Sequence, residues 1–80
     1  MTVDNDTLDE AVTAALEEVA PDVDVSSLDP HRNLRDQVEL DSVDFLNFVT
    51  ALERRLDLRI PEGDYPKLSS LEGCRRYLAA

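Results

Sequence analysis

Leu40-Asp41-Ser42-Val43-Asp44-Phe45-Leu46 is where an acidic, irregular stretch turns into a strongly amphipathic helix. Asp41 is a good N-cap residue, because its short carboxylate can accept from amides that a first helical turn leaves unpaired. Asp44, three positions on, can answer it in a capping box. Ser42 then falls in the first turn, with its hydroxyl exposed beside the positive end of the helix dipole. That end suits a covalently attached phosphate, since free amides and the dipole both favour an anion. The heptapeptide reads as an attachment point, not a catalytic centre.

Downstream, the spacing predicts a helix over residues 42–57. Phe45, Phe48, Val49, Leu52 and Leu56 fall in one narrow band at 100° per residue and form the core stripe. Val43, Leu46, Asn47, Thr50 and Arg54 project from the other side. Val43 and Leu46 are thus apolar residues that the period does not bury. Flanked by Asp41 and Asp44, they suit a docking surface for a protein.

Upstream, residues 7–20 read as a helix. Thr7 and Glu10 make a capping-box pair, and Leu8, Ala11, Val12, Ala15, Leu16 and Val19 share a buried face. Pro21 stops it. Asp9, Glu10, Glu17 and Glu18 read as a solvated face. Residues 21–40 form a long connection with apolar anchors at Val23, Val25, Leu28, Leu34, Val38 and Leu40. After Ile60-Pro61, the stretch from Glu62 to Lys67 has room for a brief helical turn at most. Ser69 and Glu72 then cap a last helix bearing Leu71, Cys74 and Leu78 on one face, with Tyr77 at its edge. No segment alternates as a strand does. The fold class expected is all-α: a small bundle of three main helices plus one short helix, with a long loop between the first two helices. It should form one domain over residues 1–80.

Nucleophilic catalysis at Ser42 would need a positioned base and an oxyanion hole. The lone histidine, His31, sits in the loop, and no Gly-x-Ser-x-Gly elbow surrounds the serine. The string Asp22, Asp24, Ser26, Asp29 lacks the glycine and terminal glutamate of a calcium loop. Cys74, the single cysteine, excludes an intrachain disulfide framework, and it reads as a buried thiol followed by two surface charges. No enzyme activity is expected, and no metal site.

The chain has 80 residues, net charge −10 and a 42% apolar fraction, with two Phe and two Tyr, so aliphatic packing dominates one modest core. So acidic a surface repels nucleic acid and anionic lipid, and attracts proteins with basic patches. Met1 precedes acidic residues, without a basic leader or an apolar run of membrane length, so a cytoplasmic, soluble chain is expected.

The stretch Leu40-Asp41-Ser42-Val43-Asp44-Phe45-Leu46-Asn47-Phe48-Val49-Thr50-Ala51-Leu52-Glu53, followed by Leu56-Asp57-Leu58-Arg59-Ile60-Pro61-Glu62, resembles the acyl carrier protein family. That family's signature is Asp-Ser-Leu at the start of its second helix. The similarity extends over essentially all 80 residues. It implies that Ser42 is esterified by a 4'-phosphopantetheine arm donated from coenzyme A, whose thiol carries acyl groups as thioesters. The long loop is implied too, since it lets two helices lie nearly parallel, and so is an acyl chain lodged against the core stripe and narrowed by Phe45 and Phe48. Implied partners are a phosphopantetheinyl transferase and acyl-processing enzymes with basic docking patches, which would read Asp41, Val43, Asp44, Leu46 and Asn47. The carrier would be a monomer. Val43 replaces the usual leucine, Glu39 stands where glycine is frequent, and Asn47, Arg54 and Arg55 depart from the pattern on the partner-facing helix. These departures point to a specialised carrier as readily as to a general fatty-acid one. A peptidyl carrier is the nearest alternative. An unmodified acidic helical module that binds a basic protein is another.

Overall fold

The computed structural model describes residues 5–79. Helix α1 (Asn5–Val19) is already helical at Asn5, so Thr7 lies inside its first turns and is not its cap, contrary to the Thr7–Glu10 expectation. The helix ends where expected. Ala20 donates its N–H to the Leu16 carbonyl at 2.9 Å, and Pro21 has no N–H with which to continue. Leu8, Val12, Ala15 and Leu16 are buried on its inner face.

The connection from α1 to the next long helix is not featureless. A 3-10 turn occupies Val25–Ser27, capped by Asp24, and a four-residue helix, α2 (Leu34–Gln37), is capped by Asn33. Leu34 and Leu40 are buried anchors, while Val23, Val25, Leu28 and Val38 pack partly against the core. The Leu34 amide donates to the Ser69 carbonyl at 2.7 Å, and the Glu72 amide to that of Pro30 at 2.9 Å. Gln37 ties the loop across itself by contacts with the backbone of Asp29 and Arg32. The segment is therefore tied at Pro30 and Leu34 to the start of the last helix and the residues just before it.

Helix α3 (Ser42–Leu56) begins where the sequence places it and ends one residue early. Asp57 takes the left-handed conformation at φ 52°, which a short polar side chain tolerates, and the amides of Asp57 and Leu58 both return to the Glu53 carbonyl. Phe48, Val49 and Leu52 are fully buried, Phe45 and Leu56 partly so, and Ala51 joins them. Glu18, near the end of α1, meets Arg54 and Arg55, near the end of α3. The two helices therefore finish at the same end and run roughly parallel, and each is about 22 Å long. Parallel neighbours need a connection that spans the bundle, which residues 20–41 supply.

A 3-10 helix then covers Glu62–Leu68, longer than the brief turn expected. Pro61 and Pro66 fix φ without requiring amide partners, and Leu68 is fully buried. Tyr77 donates its hydroxyl to Asp64 Oδ2 at 2.7 Å and pins this segment to the last helix. Helix α4 (Leu71–Ala79) is capped by Ser70, not by Ser69: the Gly73 amide donates to Ser70 Oγ at 3.0 Å. Ser69 instead closes the 3-10 helix through its amide, and Glu72 pairs with Arg76. A Cβ on Gly73 would stand 2.5 Å from the Lys67 carbonyl oxygen, so only glycine lets α4 approach this closely. Among the described residues there is no strand, and the all-α class with three main helices holds.

Candidate functional site

The start of α3 is built by reciprocal hydrogen bonds. The Asp44 amide donates to Asp41 Oδ1 at 2.8 Å, and the Asp41 amide donates to Asp44 Oδ2 at 3.3 Å. The Phe45 amide reaches the Asp41 carbonyl at 3.0 Å. This leaves the amides of Ser42 and Val43 without an acceptor among the described residues. Ser42 itself is exposed in the first turn. An accessible hydroxyl beside two free amides at a positive helix end is a fitting support for a phosphoester.

Around Ser42 the residues singled out from the sequence lie together on the outside of α3. Val43 is 64% exposed and Leu46 47%, the two large apolar residues left open to solvent among the described residues. Asp41 and Asn47 are exposed and Asp44 half-buried. Thr50 continues the face and turns its hydroxyl back to the Leu46 carbonyl at 3.0 Å. The lone histidine, His31, is exposed, its amide held by Asp29 Oδ1 at 2.9 Å. Among the described residues no cluster of His, Cys, Asp or Glu has metal-binding geometry. Asp24 and Asp29 of the calcium-like string serve as local caps instead.

Arg54 and Arg55, read from the sequence as departures on a partner-facing surface, are engaged within the chain. Arg54 Nη2 lies 2.7 Å from Glu18 Oε1, and Arg55 Nη2 2.8 Å from Glu18 Oε2. These hydrogen bonds, Arg55's first, hold the Glu18 carboxyl below its ordinary range. Asp9 is likewise paired, bidentate, with Arg75. The solvated face assigned to α1 is thus bounded on two sides by cross-helix ion pairs that span long sequence separations, which is why the sequence did not reveal them. Cys74 is buried, its Sγ near the Leu68 carbonyl at 3.4 Å, and burial pushes the thiol up to about 12.

Phe45 and Phe48 pack with centroids 6.1 Å apart. A groove of about 600 Å³ lies elsewhere, between α1, residues 25–31 and the start of α4, and neither phenylalanine nor Ser42 lines it.

A helical domain that presents an exposed serine in a capped first turn, with the exposed apolar residues Val43 and Leu46 beside it, has the form of a support for an attached group. The family model described as a phosphopantetheine attachment site matches residues 10–78, most of the chain, and the chain belongs to that family. Such a domain is the attachment site of covalently bound 4'-phosphopantetheine and is a carrier, not a catalyst. A comparison with curated proteins finds no significant match.

Proposed function

We propose that this chain carries acyl intermediates as thioesters on a 4'-phosphopantetheine arm attached to Ser42, in fatty-acid, polyketide or related specialised lipid synthesis. The observation that carries the assignment to Ser42 is its exposure in the first turn of α3, beside two amides without acceptors. Loading forms a bond from Ser42 Oγ to the phosphorus of coenzyme A that bears pantetheine. The pyrophosphate bond breaks, adenosine bisphosphate leaves, and the serine proton passes to a base on the transferase. The chain's own part is to present the hydroxyl and to receive the phosphoester at the positive end of α3. Bound there, the arm supplies the thiol on which cargo is held.

Asp41 and Asp44 offer charge to basic patches on the transferase and on acyl-processing enzymes. Val43 and Leu46 supply close apolar contact, and Asn47 directional hydrogen bonding. Residues 1–80 act as one monomeric carrier domain in the cytoplasm. The acidic residue before Ser42 and the net charge of −10 favour acyl over peptidyl cargo.

The test is intact-protein mass after incubation with coenzyme A and a broad-specificity phosphopantetheinyl transferase. A gain of one phosphopantetheine that disappears in Ser42→Ala supports the assignment. No gain with several transferases would leave an acidic binding module as the better account.

A further inference from the structure

Along α3, Val43, Asn47, Thr50 and Arg54 recur at i, i+4, i+7 and i+11, so they form one straight stripe on the outer face. The stripe changes character with distance from Ser42. Its first turn has Asp44 beside it, its middle is neutral, and its far end is Arg54, roughly 18 Å from Ser42 along the axis. Arg54 Nη2 lies 2.7 Å from Glu18 Oε1, and the Arg54 side chain stays 62% exposed. The same carboxylate also holds Arg55, so it is divided between two guanidiniums, with Asp57 exposed one turn further on. A cation fixed on an otherwise partner-ready face is a repulsive element as well as a possible contact.

We infer that Arg54, positioned by Glu18, is a specificity determinant that confines basic partner surfaces to the Ser42 end of α3. The inference rests on the carrier reading above. The partner it fits is a protein whose basic patch covers the first turns only. One with a basic ridge along the whole helix meets Arg54 as a like charge and is rejected. Glu18 both aims the guanidinium and partly offsets it, so the two residues act in opposite directions.

The experiment measures kcat/KM for loading by a broad-specificity phosphopantetheinyl transferase chosen for a basic surface that runs the length of the docked helix, at low ionic strength, where screening extends over about 30 Å, and again near 0.15 M, where it is about 8 Å. Arg54→Glu should raise kcat/KM about three- to ten-fold at low salt, through KM, with kcat unchanged. Glu18→Gln, which uncovers the positive charge, should lower it. Arg76→Glu makes the same net-charge change on α4 and should move it little. Thermal melts confirm that each variant is folded at the assay temperature, and Arg54→Ala, which adds no repulsion toward Glu18, should still show a smaller rise. A loaded wild type whose rate is unmoved or slowed by Arg54→Glu overturns the inference alone. So does an equal gain from Arg76→Glu. If neither the wild type nor Arg54→Glu is loaded by any of several transferases, the carrier reading falls, and the inference with it.

Discussion

Leu52 and Leu46 sit on the same helix, yet they should respond to truncation in opposite ways. Leu52 is fully buried between α1 and α3, while Leu46 is 47% exposed on the outer face. Leu52→Ala removes three carbons, at about 0.8 kcal/mol each for transfer alone, or roughly 2.4 kcal/mol. The cavity left in a core of this size brings the total to about 2–5 kcal/mol. A domain of this length has roughly 4–12 kcal/mol of stability in all, so the variant should be close to its limit. Its Tm should fall by at least about 10 °C. Leu46→Ala gives up only half-exposed contact and gains helix propensity, so it should cost less than about 1 kcal/mol. The assay is urea unfolding followed by ellipticity at 222 nm, with the slope checked for constancy between variants. The functional readout reverses the order, with loading by a transferase slowed by Leu46→Ala and unaffected, below the unfolding transition, by Leu52→Ala. Equal midpoints for the two variants, or a larger loss from Leu46→Ala, would refute the assignment of faces.

Gly73→Ala drives a Cβ to 2.5 Å from the Lys67 carbonyl and should destabilise by about 1–3 kcal/mol, whereas Gly63→Ala, with nothing within 4 Å, should be neutral or slightly stabilising by calorimetry. Asp57→Gly should raise the urea midpoint modestly, because glycine adopts φ 52° without a Cβ conflict, and Asp57→Ala should lower it. Glu18 and Asp64 have lowered carboxyl pKa values, through Arg55 and Arg54 in the first case and Tyr77 then Lys67 in the second. The unfolded chain therefore binds more protons, and stability should decline as pH falls below their ordinary values of 4.5 and 3.8, a loss blunted in Glu18→Gln. Tyr77 has its phenol raised by the hydrogen bond to Asp64, so that contribution is present below pH 10 and fades as pH climbs through the folded value, which a phenolate absorbance titration would follow.

The parts of this fold that announce themselves are those specified within a few residues. Asp41 and Asp44 are three apart and their hydrogen bonds are local, so the start of α3 was legible, as was the stripe of Phe48, Val49 and Leu52. Leu34 was legible as an anchor but not as the start of a helix turn. Four residues give no period, and α2 owes its place to the Ser69 carbonyl, 35 positions on from the Leu34 amide that meets it. Ser69 and Ser70 are equivalent by composition. The 3-10 helix before them decides which one caps α4. The ion pairs of Glu18 with Arg54 and Arg55 depend on α1 and α3 being parallel, a property of the tertiary arrangement that neither helix contains alone. At the site, the capped first turn that exposes Ser42 was readable because its hydrogen bonds are local. The pairing of Arg54 at the far end of the same face was not, because Glu18 lies on another helix.

The seclusion of Cys74 has a consequence for a protein whose cargo travels on sulfur. Acyl groups migrate readily from one thiolate to another nearby, and a reactive cysteine on a carrier could take cargo off its arm or trap the arm as a disulfide. Here the sole cysteine is enclosed and kept protonated far above neutral pH. The folded chain thus offers cargo on the arm no competing cysteine thiolate of its own.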